Sequence, residues 1–218
     1  VIKHVSFDFW DTLYRVNPNF RAQRAGFIQK SHGISPEHTH SAAKRAKELC
    51  DSLSEKTMCT VDARTQAWHL LDQLGVPSIT KANALYEETN RVFIENPPIP
   101  LFSNNDLLGL KSRGVSISIS CNTGLISGDS IVSMLRNTGV YNVFDFVVFS
   151  DHIGYFKPNP FFLNHVLNQE SCRATSFEQI LHVGDNPATD GYMCQLTNSN
   201  FLLVEKRDLD FLKIHNLL

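Results

Sequence analysis

The spacing of apolar and polar positions changes character twice along the chain. It opens with Val5-Ser6-Phe7-Asp8-Phe9-Trp10, a short apolar run that meets polar residues abruptly at Asp11-Thr12, as a buried strand entering a turn does. Across 19–96 there is hardly a strand signal. Apolar residues there fall at three- and four-residue spacing and predict helices over 21–30, 36–56, 62–74 and 81–95. Their ends are marked by His32-Gly33, Gly75-Val76-Pro77 and Asn96-Pro97-Pro98. After Leu101 the pattern alternates. Strands are predicted over 115–121, 145–149, 180–184 and 201–204, with helices over 104–113, 129–137, 160–168 and 189–197.

Strands separated by helices of this length build βαβ units, which require a parallel sheet covered on both faces. The fold class is therefore α/β, a Rossmann-like parallel sheet with helices on both faces. The first strand is needed to fill that sheet, so the helical stretch is an insertion after it. This divides the chain into an α/β core domain of residues 1–14 and 100–218 and an α-helical domain of residues 15–99. The turns 14–18 and 95–100 are its linkers, the second stiffened by Pro97, Pro98 and Pro100.

Composition narrows the function classes. The 218 residues are 42% hydrophobic and 19% charged, which suits a packed globular chain. Twenty basic and 22 acidic residues give a formal charge of −2 with no basic block, which disfavours nucleic acid as a partner. No apolar run approaches the ~20 residues of a membrane span, and Val1-Ile2-Lys3-His4 does not read as a signal peptide. Five scattered cysteines with no C-x-x-C argue against a disulfide scaffold or a zinc site and for a reducing cytoplasm. His32, His38 and His40 lack helical ligand spacing and read as surface histidines.

In a parallel α/β sheet, ligands bind at the carboxyl ends of the strands. Strand one ends in Asp8, with Thr12 four residues on. The next ends in Ser120-Cys121-Asn122-Thr123, and the third in Ser150-Asp151 with Lys157-Pro158 just beyond. The fourth ends in Gly184-Asp185-Asn186, with Asp190 five residues past Asp185. Asp8, Asp185 and Asp190 offer the hard oxygens that Mg²⁺ takes beside water and phosphate. Singly, each Asp has an ordinary alternative as a turn or helix cap. Together they bring three carboxylates, one ammonium and several small polar groups to one rim.

Asp8-x-x-x-Thr12, Cys121-Asn122-Thr123-Gly124, Lys157-Pro158 and Gly184-Asp185-x-x-x-x-Asp190 resemble, in order, the four motifs of the haloacid dehalogenase-like hydrolases. The helical insert is similar to that family's C1 cap. The resemblance implies that Asp8 is a nucleophile forming a covalent aspartyl intermediate, with Thr12 and Lys157 orienting it and neutralising charge. It implies Mg²⁺ between Asp8, the backbone carbonyl of Trp10 and Asp185, with Asp190 as a direct or outer ligand. Ser120, Cys121, Asn122 and Lys157 would hold the phosphate of a small phosphorylated substrate.

Two positions depart from the family pattern. Its phosphatases usually carry an acid/base Asp two residues after the nucleophile, where this chain has Trp10, either a core aromatic or a residue facing the substrate. Cys121 stands where the family has Ser or Thr, and a thiol is the weaker donor; a one-residue shift of the strand would put Ser120 there instead. The implied function is a Mg²⁺-dependent phosphatase, with turnover weakened by Trp10. The alternatives are a 2-haloacid dehalogenase, a branch that also lacks the second Asp, and a low-turnover protein that binds phosphorylated ligands. Retention of both Asp185 and Asp190 favours the phosphatase.

Overall fold

The computed structural model describes residues 1–205 and 208–218. The chain begins with β1 (His4–Phe7) and β2 (Tyr14–Arg15), then runs through four helices, α1 (Pro18–His32), α2 (Pro36–Thr57), α3 (Ala63–Gln73) and α4 (Ile79–Glu95). After β3 (Ile99–Pro100) come α5 (Asn104–Ser112), β4 (Ser116–Cys121), α6 (Gly128–Asn137), β5 (Phe146–Phe149), α7 (Ser150–Ile153) and α8 (Pro160–Leu167). The chain closes with β6 (Ile180–Gly184), α9 (Tyr192–Thr197), β7 (Asn200–Leu203) and α10 (Phe211–Leu217).

Five strands form one parallel sheet in the order β5-β4-β1-β6-β7. This places the ends of β1, β4 and β6 side by side, as the α/β reading requires. The two faces of the sheet differ in chemistry. Val5, Phe7, Ile117, Ile119, Leu181 and Val183 pack with Leu107 and Leu110 of α5, Ile131 and Met134 of α6, and Ile214 of α10 in one apolar core. The opposite face carries His4 and Ser6, then Ser116, Ser118 and Ser120, then His182, all fully buried. It is flanked by Val148 and Ile180, which pack with α8 and α9.

The helices of 18–95 start where side chains satisfy their first free N–H groups. Asn17, Ser35, Asp62 and Ser78 each accept from the opening turn. These caps explain why α1 and α4 begin before the apolar periodicity does. The helices share a second apolar core of Ile28, Ala42, Ala46, Ala67, Leu70, Leu71, Leu74, Ala82 and Leu85. Phe20, Val92 and Phe93 instead join the core of the sheet. Polar ties also cross between these regions. Asn90 of α4 donates to Leu125 O (3.0 Å) and accepts from Ser127 N–H (3.0 Å). Met58 O accepts from Phe156 N–H, and Thr60 N–H donates to Gly154 O.

Several elements depart from the expected pattern. The segments read as linkers pair with each other, Tyr14 with Pro100 and Arg15 with Ile99, in a two-stranded antiparallel ribbon. Two residues per strand are too few to show a period. The single helix predicted over 189–197 is a π-helical turn, Pro187–Gly191, followed by α9. α10 lies outside the expected elements; Phe211, Ile214 and Leu218 face the core, but two turns are too short for their spacing to stand out as a period. Among the described residues no helix is long and apolar enough to cross a membrane.

Asn90→Ala would leave the buried Ser127 N–H and the Leu125 carbonyl without their partner. The expected loss is about 1–3 kcal/mol of unfolding free energy, read by urea denaturation. A wild-type midpoint would show that this tie contributes nothing.

Candidate active site

Asp8 follows β1 directly, and its N–H extends the ladder to Val183 O at 2.8 Å. The chain then turns sharply. The N–H groups of Leu13 and Tyr14 both return to Phe9 O (3.1 and 2.9 Å), and Asp11 takes a left-handed conformation at φ 56°. The turn draws Thr12 inside, where its buried hydroxyl has no hydrogen-bond partner among the described residues. Such an orphan costs about 1–3 kcal/mol, which a bound group accepting or donating there would recover.

Lys157 is fully buried, and all three of its N–H donors are used. Nζ donates to Asp8 Oδ1 (2.7 Å), Asp190 Oδ1 (2.7 Å) and Ser120 O (2.8 Å). Asn122 grips its backbone from both sides, accepting from Lys157 N–H at 2.8 Å and donating to Lys157 O at 3.0 Å. Asp190 reaches inward from the π-helical turn. Its Oδ1 lies 3.0 Å from His182 Nε2, and its Oδ2 accepts from Asn186 N–H at 3.2 Å. A Cβ on residue 184 would come within 2.5 Å of Asp190 Oδ2, so glycine is required there.

Charges here are strongly coupled. Burial pushes the Asp8 carboxyl up, Lys157 offsets only part of this, and Asp190 and Asp185 push the same way as burial, leaving it at about 7. Burial works against the Lys157 ammonium, but Asp190 and Asp8 outweigh it and hold the group above the ordinary lysine range. Burial would raise Asp190, yet Lys157 and His182 bring it below the usual carboxylate range. Asp185 is raised by burial, then by Asp190 and Asp11. Burial lowers His182. Burial also raises the Cys121 thiol well above its ordinary value, so it is no thiolate nucleophile near neutral pH.

Carboxylate oxygens of Asp8, Asp185 and Asp190 all lie within 4.8 Å of one another. Three acidic groups face one ammonium, and the donors are hard oxygens, so this set fits a small divalent cation such as Mg²⁺. The expected residues thus meet, but not all in the expected posture. The side chain of Ser120 is turned under the sheet to Ser6 Oγ, 2.7 Å away. Asn122 is committed to the Lys157 backbone. Cys121 is buried, with its thiol donating to Asn122 O at 3.3 Å. Trp10 packs edge-on against Phe9 (4.8 Å between centroids) and Phe93 of α4 (6.0 Å). Ser6 and His182 were overlooked as site residues. Their signal is small polar residues at alternate positions of three neighbouring strands, where doubly buried strands normally read as continuous apolar runs.

A family model for haloacid dehalogenase-like hydrolases matches residues 2–195. Among solved structures, the HAD-hydrolase YfnB of Bacillus subtilis, bound to magnesium, superposes with a TM-score of 0.76 at 16% identity over 100% of this chain and 98% of that one. A protein of Thermotoga maritima described as a beta-phosphoglucomutase gives 0.69 at 18% identity over 100% of both chains. The L-2-haloacid dehalogenase of Xanthobacter autotrophicus gives 0.65 at 16% identity, over 95% of this chain and 80% of that one. At these identities the likeness is one of fold. A curated relative, phosphatidylethanolamine N-methyltransferase of Paracoccidioides lutzii, is 26% identical over 137 residues, 59% of this chain but 14% of that protein. The matched segment is thus a small part of that relative's length.

The shifts fix a sign for the pH dependence of the metal-free protein. The folded value of Asp8, about 7, exceeds its unfolded value near 3.9, so its contribution is complete below about pH 4 and is lost as pH rises through 7. His4, lowered by burial to about 3, and His182, also lowered, slope the opposite way, stabilising above their unfolded value and losing this as pH falls. The informative quantity is therefore a difference. With chelator present, the stability of Asp8→Asn relative to wild type should rise from about pH 4 to about pH 7. A difference that stays constant across that range contradicts the raised Asp8.

Proposed function

Because the chain belongs to the haloacid dehalogenase-like hydrolases, we propose that it is a Mg²⁺-dependent phosphatase acting on a small phosphorylated metabolite. The observation that carries this reading is the acidic triad, Asp8, Asp185 and Asp190 with oxygens within 4.8 Å, set against the single ammonium of Lys157. Asp8, Asp185 and the Trp10 carbonyl would hold the cation, with Asp190 in support. Bound there, Mg²⁺ would supply the positive charge that favours the ionised form of Asp8 and screens it from an anionic substrate.

The rest of the chemistry falls to the chain. Lys157 fixes one oxygen of Asp8 and leaves the other for attack on phosphorus. The bond from phosphorus to the leaving oxygen breaks, giving an acyl phosphate on Asp8. Water then attacks phosphorus, releasing inorganic phosphate and restoring the carboxylate. Thr12, whose hydroxyl lacks a partner among the described residues, would steady the transferring group. In this reading residues 15–99 act as a cap that closes over the strand ends and excludes water, and Cys121 is a small wall of the phosphate pocket. A reducing cytoplasm suits the five free cysteines.

Trp10 cannot protonate a leaving oxygen. Substrates whose leaving group departs as a stable anion should therefore be favoured, aryl phosphates over alkyl phosphates. The same absence, with an indole beside the nucleophile, is what keeps a 2-haloacid dehalogenase as the second reading, since halide needs no proton. Hydrolysis of p-nitrophenyl phosphate with Mg²⁺ and with chelator, beside chloride release from 2-chloropropionate, separates the two. Mg²⁺-dependent phosphate release, abolished in Asp8→Asn, is expected. Chloride release insensitive to chelator would transfer the assignment to the dehalogenases.

Two variants extend the test. Asp185→Ala should weaken Mg²⁺ binding by more than about tenfold; near-wild-type affinity in calorimetric titration would remove Asp185 from the cation site. Trp10→Asp should raise single-turnover hydrolysis of an alkyl phosphate by part of the ~10²–10⁴ that acid–base catalysis supplies. Losing the contacts to Phe9 and Phe93 should also lower stability. A folded Trp10→Asp that binds Mg²⁺ and is no faster would show that proton supply is not limiting.

A further inference from the structure

Beneath Asp8 the buried polar groups close into a ring. Lys157 Nζ donates to Ser120 O at 2.8 Å, and the Ser120 hydroxyl lies 2.7 Å from that of Ser6. Ser6 Oγ lies 3.1 Å from His182 Nδ1. His182 Nε2 reaches Asp190 Oδ1 at 3.0 Å, and the same oxygen accepts from Lys157 Nζ at 2.7 Å, which closes the circuit. Ser6, Ser120 and His182 are each 0% exposed. Ser6 and His182 are register partners on β1 and β6, so both are placed by central strands paired on each side.

We propose that His182, anchored by Ser6, is a positioning residue that holds Asp190 so that the Lys157 ammonium stays aimed at Asp8. The inference rests on the reading of Asp8 as nucleophile and Lys157 as its orienting cation. Asp190 stands on a π-helical turn, an irregular support, and beyond His182 and Lys157 its carboxylate accepts, among the described residues, the long bond from Asn186 N–H to Oδ2. The imidazole is the rigid side of the pair. It sits on a strand in the middle of the sheet, and its second nitrogen faces a hydroxyl that is itself fixed. The ring so passes the order of the sheet to a carboxylate on a less regular segment, and from there to the ammonium. Misplacing a reacting group by about 1 Å can cost ~10²-fold in rate, which gives such a support a catalytic consequence.

The test compares His182→Leu, which removes the donor to Asp190, with His182→Gln, whose amide N–H replaces it at a similar reach, and with Ser6→Ala. Two readouts are taken. One is hydrolysis of p-nitrophenyl phosphate at saturating Mg²⁺. The other is the ¹⁵N-lysine NMR signal of the Lys157 ammonium without metal or substrate, which a buried, fully bonded NH₃⁺ should show through slow exchange. In His182→Leu, kcat should fall about tenfold or more with KM changed less than about threefold, and the ammonium signal should broaden or vanish. His182→Gln should keep the signal and most of kcat, and Ser6→Ala should lie between.

A His182→Leu protein that keeps the sharp ammonium signal overturns the proposal whatever its activity. So does a folded His182→Gln as impaired as His182→Leu, which would mean that His182 only fills space. Should His182→Leu not fold, His182→Gln and Ser6→Ala decide by the same two readouts. A wild type that shows the ammonium signal, loses it in His182→Leu and hydrolyses no phosphate supports the positioning role and removes the phosphatase reading instead.

Discussion

A lysine ammonium with no access to water governs the architecture around it. Removing such a charge from solvent is costly, and the cost is offset only when every donor meets an acceptor in good geometry. Lys157 meets this demand with two carboxylates and one carbonyl, each at 2.7–2.8 Å. Those acceptors come from the ends of two strands, β1 and β4, and from the π-helical turn after a third, β6, so the sheet order must be right before the lysine can be satisfied. Asn122 fixes the backbone on which the lysine stands, and Gly184 leaves room for the carboxylate it needs. Breaking one arm of a buried ion pair typically costs 3–5 kcal/mol. The residues proposed for the chemistry and the residues that satisfy the buried lysine are therefore the same.

The parts legible in the sequence were those that depend on order along the chain. Alternating apolar periods gave the parallel sheet, and a stretch without strand signals gave the four helices. Asp8, Lys157, Asp185 and Asp190 could be placed on one rim because parallel strands all end on the same side. The illegible parts depend on which way a side chain points. Ser120 and Cys121 are neighbours on β4 and so face opposite sides of the sheet. A one-residue ambiguity decided which could meet a ligand, and the ring found Ser120 occupied with Ser6. Asn122 was read for its amide as a phosphate donor, whereas both ends of that amide grip Lys157. Ser6 and His182 lie inside strands rather than at their ends, where attention to strand termini does not reach. Their mark was parity: Ser116, Ser118 and Ser120 alternate with Ile117 and Ile119, and continue the seam begun by His4 and Ser6.

Trp10 joins local chemistry to the helices beyond it. At its position the family's phosphatases usually carry an acid/base Asp. The indole packs instead against Phe9 and, across to α4, against Phe93, which in turn meets Phe20 of α1. One position therefore forgoes proton transfer and gains an aromatic contact with the helical segment. Asn90 and the Met58–Thr60 pairing add polar ties to the loops after β4 and before Lys157. Each of these contacts touches a segment that also carries a site residue, so motion of the helices would be felt at Asp8 and Lys157.

The balance of charge gives the strongest physical ground for choosing between the two hydrolase chemistries. Displacing a halide from a neutral carbon asks for an ionised carboxylate held by the protein's own cations. Here one ammonium serves Asp8 and Asp190 together, Asp185 adds a third acid, and His182 is lowered by burial toward its neutral form. Left to these groups alone, Asp8 sits near 7 and is only partly ionised at neutral pH. A site built for a metal-free nucleophile would gain by losing Asp185, which raises Asp8 and makes no bond to Lys157. Keeping it is costly unless a cation with more than one positive charge completes the set. The carboxylate that is one too many for dehalogenation is thus the one that the proposed phosphoryl transfer would use.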